Sequence, residues 1–179
     1  RCVLVPFHPL KKETCLNVAL QEGLDEEDAF LLTRVVSKTR DYMSIVVSNA
    51  YQNAKTMLKQ YIGVKGNSRL LLVDYDVRYK VQAKDTDGNA KDENIDLVKM
   101  FLMLLGQFYK DTFVEVKDAP DWYAYALQKE KERSTNIQRV KLLEITQKEL
   151  NLCNRTNDLN LLLDQAIYEM EEIKYGRSH

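Results

Sequence analysis

Residues 68–89 read SRLLLVDYDVRYKVQAKDTDGN, and this stretch decides which fold class the sequence predicts. From residue 71 to residue 83 every odd position is apolar or aromatic, while the even positions of 74–82 are charged or polar. Alternation with a period of two, in residues that favour extended structure, is typical of a β-strand with one buried face. We therefore predict a strand over residues 70–84, with its tyrosines and valines turned inward and its acids turned outward.

Two shorter segments complete the predicted sheet. Residues 2–5 form an apolar run that ends at a proline, which is typical of an edge strand because proline cannot donate to an interior ladder. Residues 112–117, TFVEVK, alternate apolar and polar side chains and predict a further short strand. Strands near 2–5, 70–84 and 112–117 together predict a small mixed sheet.

Helical periodicity covers most of the remaining chain. Apolar residues recur three and four positions apart from residue 26 to residue 62, which predicts one long helix that bends or splits near residues 37–39 or projects toward a partner. A run that is apolar nearly all round predicts a central helix near 95–109, and two amphipathic patterns, 122–152 and 159–173, predict C-terminal helices. The predicted fold class is α+β, predominantly helical, with the small sheet packed on these helices.

Length and charge limit the classes of function. The chain has 179 residues, enough for one core, so we expect residues 1–179 to form a single domain, as a fragment or processed product because it starts at Arg1. Its 26 basic and 27 acidic side chains leave a net charge of −1, which disfavours binding to nucleic acid through phosphates. Residues 97–109 form the best apolar run, shorter than the about 20 residues of a membrane-spanning helix.

The cysteines bear on the compartment of the protein. The chain has 3 cysteines, an odd number, at spacings that match no metal site. This pattern favours a reduced, intracellular protein, most simply a cytoplasmic one. The triplet that starts at Asn154, NRT, matches an acceptor for N-glycosylation and keeps a secreted alternative open.

A group of charged residues on the predicted strands forms one candidate site. Asp74 and Asp76 point to the same face of their strand, and Glu115 and Lys117 share a face of theirs. If the two strands are neighbours, three carboxylates converge and can bind Mg²⁺ or Mn²⁺, while the lysine stabilises charge at a phosphate. The competing interpretation is that these acids form ion pairs with cross-strand lysines on a solvated face.

The Glu-x-Lys pattern at residues 115–117 resembles the motif of a family of metal-dependent nucleases. In that family an aspartate on a neighbouring strand completes the metal site. The resemblance implies a phosphodiesterase in which Asp74, Asp76, Glu115 and Lys117 are catalytic and the three acids are the metal ligands.

An aromatic group begins the first C-terminal helix and forms the second candidate site. Trp122, Tyr123 and Tyr125 lie within one helical turn, beside charges of both signs. Tryptophan and tyrosine are favoured as interface anchors because they bury a large area at a low cost in conformational entropy. We predict these three as binding residues, with packing against the central helix as the alternative.

The leading functional hypothesis is a protein-interaction or assembly module without enzymatic activity. Its long helix and C-terminal helices would contact a protein partner or a second copy of the chain. The alternative is the metal-dependent phosphodiesterase, with Mg²⁺ or Mn²⁺ held by the acids of the sheet.

Overall fold

The structure is a computed structural model that describes residues 12–63, 69–82, 88–156 and 158–176. Within these ranges it contains nine α-helices and no β-strand. The helices are α1 (Lys12–Gln21), α2 (Glu26–Val35), α3 (Tyr42–Val46), α4 (Asn49–Gly63), α5 (Arg69–Asp74), α6 (Gly88–Asp111), α7 (Asp121–Arg133), α8 (Asn136–Leu152) and α9 (Leu159–Tyr175). A 3-10 turn (Thr39–Asp41) precedes α3, and a π-helical turn (Tyr75–Tyr79) continues α5.

The predicted small mixed sheet is wrong wherever the structure describes its strands. The segment predicted as a strand near 70–84 is helical through α5 and the π-helical turn, up to Tyr79. Residues 112–117 form an irregular connection between α6 and α7. The predicted strand near 2–5 lies outside the described residues.

The alternating segment is a helix because its odd positions also contain a helical pattern. Leu71 and Tyr75 lie four residues apart and are only 2% and 1% exposed, and Tyr79, four residues further, is half-buried. The intervening Val73 and Val77 are 58% and 73% exposed. A strand would bury all five side chains on one face, whereas a helix buries every second member of the set.

The long helix predicted near 26–62 is split near residues 37–39, one of the alternatives expected from its length, and a second interruption separates α3 from α4. Asp25 caps α2 by accepting a hydrogen bond of 2.7 Å from the backbone N–H of Asp28, and α2 ends at Val35. The chain then turns through the 3-10 segment to α3, whose first residue, the buried Tyr42, donates a hydrogen bond of 3.2 Å to the carbonyl of Val36. This bond fixes the turn that separates α2 from α3 and α4.

Helix α6 occupies the centre of the fold, and it contains the predicted central helix near 95–109. It packs against α2, α4, α8 and α9, and α8 packs in turn on α9. Gly106 of α6 permits close contact with α8, because a Cβ at this position would lie 3.1 Å from Oγ1 of Thr146. The apolar residues of α6 that this packing buries are Leu97, Val98, Phe101, Leu102, Leu104, Leu105, Phe108 and Tyr109.

A buried carboxylate at the end of α6 joins three helices. Asp111 is 1% exposed and accepts a hydrogen bond of 2.9 Å from Nε of Arg34 in α2, which also pairs with it through a second guanidinium nitrogen. Gln107 of α6 donates to it at 2.6 Å, and the hydroxyl of Tyr123 in α7 donates at 2.9 Å. We call this group the Asp111 cluster.

The C-terminal helices have well-defined ends. Thr135 and Gln138 form a capping box at the start of α8, each accepting a hydrogen bond from the backbone of the other. Gly176 ends α9 with a φ of 57°, a left-handed conformation that glycine adopts without strain. Across the described ranges, no helix is long and apolar enough to span a membrane.

Candidate functional site

A groove of about 970 Å³ runs along one face of α7. Two other elements complete its lining, the end of α4 with Lys59 and Ile62, and the end of α9 with Tyr175. We call this cavity the α7 groove. The residues that α7 contributes recur at helical spacing and are Trp122, Tyr125, Ala126, Lys129, Glu132 and Arg133.

The opposite face of α7 packs into the core and fixes the orientation of the helix. Tyr123 is 1% exposed, and its ring lies edge-on to the rings of Phe30 and Phe108, with centroids 5.1 and 5.4 Å away. Its hydroxyl is part of the Asp111 cluster, and burial is the main reason that the pKa of Tyr123 lies far above its ordinary value. The structure thus places Tyr123 in the core, whereas Trp122 and Tyr125 line the α7 groove.

Trp122 is held in position by contacts with α2 and α4. Its indole N–H donates a hydrogen bond of 3.0 Å to Oε2 of Glu27, and the ammonium of Lys59 lies 4.9 Å from the centre of its ring. Lys59 also pairs with Glu27 at 2.7 Å. Burial opposes ionisation of Glu27, but the hydrogen bonds from Lys59 and Trp122 outweigh it, so the pKa of this carboxyl lies below its ordinary value.

The rim of the α7 groove carries more positive than negative charge. Its described lining includes the cations Lys59, Lys129 and Arg133 and the single carboxylate Glu132. Lys129 pairs with Glu132 at 3.0 Å and lies 5.8 Å from the ring centre of Tyr125. Arg133 pairs with Glu130, which is buried. The side chains of Lys59, Lys129 and Arg133 are 41%, 50% and 36% exposed, so all three remain accessible to a bound molecule.

The acids of the predicted metal site do not converge in the structure. Asp74 accepts a hydrogen bond of 2.5 Å from Gln60 of α4, whereas Asp76 accepts one of 2.9 Å from Asn160 of α9. Two positions on a helix are about 200° apart, so these acids lie on different faces. The neighbouring strands that the prediction required are absent from the described residues.

Glu115 and Lys117 lie in the connection between α6 and α7, where both are exposed. Neither belongs to an arrangement of donors for a cation: no group of three or more His, Cys, Asp or Glu residues in the described ranges could hold a metal ion. The arrangement inferred from the Glu-x-Lys pattern therefore has no counterpart in this part of the structure.

Several groove residues were not singled out by the sequence. Lys129 and Arg133 follow Tyr125 at spacings of four and eight, so a helical projection of residues 121–133 would have placed them on the same face. Lys59 and Tyr175 come from distant parts of the chain, and no local pattern connects them with α7. Their contribution depends on the tertiary packing of α4 and α9.

The lining of the α7 groove comes from α4, α7 and α9. It combines three aromatic side chains with accessible cations on one concave surface. The chain matches no protein-family model, no curated protein and no solved structure.

Proposed function

We propose that this protein is an interaction module whose α7 groove binds an apolar segment of a partner protein. The observation that carries the proposal is the aromatic lining, in which Tyr125 is 64% exposed and Tyr175 is 50% exposed, beside the half-buried Trp122. Rigid aromatic side chains in a concave surface are the residues that most often dominate binding energy at protein interfaces. Covering them would remove a large apolar area from water.

The length of the groove supports a helical partner segment. The face of α7 that lines it extends from Trp122 to Arg133, eleven residues apart and therefore about 17 Å at 1.5 Å per residue. An amphipathic helix of about three turns has the same length, and such helices bind in grooves through apolar residues at positions i, i+3 or i+4, and i+7. The partner helix would lie beside α7, with its apolar face on Trp122 and Tyr125.

The charges of the rim support an acidic partner. Lys59, Lys129 and Arg133 each pair with an acid of this chain but stay accessible at the rim, so a segment whose apolar positions are flanked by aspartate or glutamate can form further ion pairs with them. Such complementary charges raise the association rate and fix the orientation of the partner more than they raise the affinity. The binding should therefore weaken as salt is added, because exposed charge pairs are screened.

We also propose a reducing, intracellular location for this activity. Two of the cysteines, Cys15 and Cys153, are free and buried. Burial raises the pKa of the Cys153 thiol to about 11, so this group is protected from thiol chemistry at neutral pH. Free thiols of this kind are usual in reducing compartments.

Intrinsic fluorescence provides a specific test, since Trp122 is the only tryptophan of the chain. We expect a saturable change in its emission on titration with a synthetic amphipathic peptide of about 15 residues that has leucines at helical spacing and glutamates elsewhere. A peptide of the same composition in scrambled order should bind more weakly, because it cannot form an apolar stripe. A peptide with lysines in place of glutamates should also bind more weakly, because its positive charges are repelled by the cations of the rim.

Variants locate the binding in the groove. Tyr125→Ser should weaken binding of the acidic peptide by about tenfold, the effect of truncating an interface anchor. The matched control is Val47→Ser, since Val47 is 75% exposed and lies outside the α7 groove. No saturable change up to about 1 mM peptide, or equal binding by Tyr125→Ser and wild type, would contradict the proposal.

A further inference from the structure

A second groove lies where α1, the start of α2 and the start of α7 meet, and its volume is about 800 Å³. The apolar part of its described lining consists of Leu16 and Leu20 from α1 and of Ala119 and Pro120 from the connection that precedes α7. Leu20 is 40% exposed, and the other three residues are half-buried. This apolar surface is therefore accessible to a side chain that enters the groove.

Five carboxylates surround this apolar surface, and they belong to Asp25, Glu26, Glu27, Asp118 and Asp121. All of them except Glu27 are exposed, and the described lining includes no lysine or arginine. Within the described ranges, Glu27 is also the only one of the five that forms an ion pair, with Lys55 at 3.5 Å and Lys59 at 2.7 Å. We call this cavity the acidic groove.

The starts of two helices account for only part of this charge. Both α2 and α7 begin at the acidic groove, and each helix start is equivalent to about half a positive charge, so the two together offset about one carboxylate. Glu27 is compensated by its lysines. About three negative charges remain beside the apolar surface after both effects. A cleft lined by charges of one sign concentrates the electric field and attracts a ligand of the opposite sign.

We propose that the acidic groove binds a basic segment of a partner protein, in which arginine or lysine alternates with apolar residues. The apolar side chains of this segment cover Leu16 and Leu20, while its bases pair with Glu26, Asp118 and Asp121. Arginine is well suited to this role, because its planar guanidinium can pair with a carboxylate through two parallel hydrogen bonds. A basic chain without apolar residues would leave the leucines exposed to water.

The charge pattern favours another protein over the N-terminal segment of this chain. Residues 1–11, RCVLVPFHPLK, precede α1 and combine apolar residues with the bases Arg1 and Lys11. These two bases are ten positions apart in the sequence, whereas the carboxylates line one cavity of about 800 Å³. A segment with a base at every second position brings several of its charges into the cavity at once.

The acidic groove and the α7 groove are adjacent but opposite in charge. Glu27 lines the acidic groove and accepts the hydrogen bond of Trp122, which lines the α7 groove. The described lining of the α7 groove has a surplus of cations, whereas that of the acidic groove has carboxylates alone as its charged groups. The two surfaces therefore select different segments, and binding at one does not require binding at the other.

Fluorescence anisotropy of a labelled peptide tests the proposal. We expect the full chain to bind a peptide of about eight residues that alternates arginine and leucine, with saturation below about 1 mM and weaker binding as salt is added. A peptide with serines in place of the leucines should bind at least about fivefold more weakly, because it cannot cover the apolar surface. Absence of saturable binding by the first peptide, or equal binding by the two, would overturn the proposal.

Charge-removing variants locate the binding in the acidic groove. Glu26→Gln/Asp118→Asn should raise the dissociation constant of the arginine–leucine peptide about tenfold and reduce its dependence on salt. Asp118 has a φ of 56°, a left-handed conformation that asparagine also adopts, so this change preserves the backbone. The matched control, Glu144→Gln/Asp164→Asn, removes two exposed acids of α8 and α9 and should leave binding unchanged. Equal weakening by both pairs would indicate a general effect of net charge and exclude the groove.

A substitution on α1 tests the apolar contact. Leu20→Ser should weaken binding of the arginine–leucine peptide at least about fivefold but leave binding of the arginine–serine peptide unchanged. The matched control is Leu152→Ser, because Leu152 is 39% exposed at the end of α8 and lies outside the acidic groove. Circular dichroism checks that each variant is folded. A folded Leu20→Ser protein that binds both peptides as the wild type does would remove the apolar surface from the site.

Two further variants separate the acidic groove from the other candidates. Arg1→Gln/Lys11→Gln should leave binding of the arginine–leucine peptide unchanged, and binding at least about fivefold tighter would show that residues 1–11 compete for the groove. Tyr125→Ser removes an anchor of the α7 groove and should also leave this binding unchanged. Tighter binding by the first variant would assign the groove to this chain, and weaker binding by the second would place the peptide in the α7 groove. Either result would overturn the proposal.

Discussion

At the scale of single residues, Asp111 accepts hydrogen bonds from several other side chains. Its carboxylate accepts hydrogen bonds from Arg34, Gln107 and Tyr123, and it is 1% exposed. Both oxygens of an ionised carboxylate can accept several bonds, so this one group satisfies donors from three helices. The orientation of α7, and with it the position of the α7 groove, depends on this group.

Removing the carboxylate should therefore destabilise the whole protein. We expect Asp111→Ala to lower the free energy of unfolding by about 3–5 kcal/mol, because it leaves the charged and mostly buried guanidinium of Arg34 without its partner. Urea denaturation followed by circular dichroism measures this change. The control is Asp164→Ala, an exposed acid on α9, which should change stability by less than about 0.5 kcal/mol. A loss below about 1 kcal/mol for Asp111→Ala would contradict the assigned role.

At the scale of helices, the contact between α6 and α8 depends on the absence of a side chain at Gly106. A Cβ there would lie 3.1 Å from Oγ1 of Thr146, which is tighter than most contacts of a Cβ, and 3.7 Å from Cβ of Thr146, which is an ordinary van der Waals distance. Thr146 is 1% exposed, and its hydroxyl donates a hydrogen bond of 2.7 Å to the carbonyl of Leu143, so it cannot easily move aside. Glycine at this position thus lowers the helix propensity of α6 but allows α6 and α8 to approach more closely.

A double-mutant cycle should show this compensation. In the wild-type background we expect Gly106→Ala to leave stability unchanged or lower, since the contact with Thr146 cancels the gain in helix propensity. In a Thr146→Ala background, the same change should raise the free energy of unfolding by about 1 kcal/mol, the usual difference between alanine and glycine in a helix. Thermal and urea denaturation of the four proteins measure the coupling. An equal effect of Gly106→Ala in both backgrounds would show that the contact is unimportant.

The helices also show what the sequence could and could not predict. The cap at Asp25, the central helix near 95–109 and the end of the last helix at Gly176 were predictable, because each depends on neighbours within a few residues. The helical structure of residues 70–79 was not predictable, because the apolar positions that alternate with period two also contain residues spaced four apart, as in a helix. Only the exposure of Val73 and Val77 distinguishes the two structures, and exposure depends on the surrounding fold.

The candidate site was predictable to a similar extent. Trp122 and Tyr125 were identified from their residue types and do line the α7 groove, whereas the neighbouring Tyr123 lies in the core. One position on a helix is a rotation of about 100°, so residues adjacent in sequence face different surroundings. The sequence names the aromatic residues, but the packing of α7 decides which of them face outward.

At the scale of the whole molecule, the core is unusually rich in buried tyrosine. Burial is the main cause that raises the pKa of Tyr42 to about 12 and the pKa of Tyr51 well above its ordinary value. The same cause acts on Tyr109 and Tyr123. Asp28 strengthens the effect at Tyr51, because the hydroxyl donates to this carboxylate at 2.6 Å.

These tyrosines should limit stability in alkali. In the unfolded chain a tyrosine loses its proton near pH 10, whereas the folded chain keeps it. The free energy of unfolding should therefore be unaffected at neutral pH and fall above about pH 10, by up to about 1.4 kcal/mol per buried tyrosine per pH unit. Urea denaturation at rising pH, with tyrosinate absorbance as the second signal, measures this decline.

Variants identify the groups responsible for the decline. Tyr51→Phe should make it less steep, since one group whose pKa differs between the two states is lost. Tyr125→Phe should not, because this side chain is 64% exposed. A free energy of unfolding that stays constant above about pH 10 would contradict the assignment of these tyrosines as buried and neutral.

The bond between Arg34 and Asp111 has a consequence for synthesis of the chain, because its two ends are 77 positions apart. A ribosome makes α2 first and completes α6 only after all of α4 and α5 have emerged. Until then the guanidinium of Arg34 has no Asp111 to pair with, although Asp28 of α2 can already bond to Tyr51 and Lys55 of α4. The N-terminal helices of a nascent chain can therefore pack on one another early, but this ion pair can form only after the end of α6 has emerged.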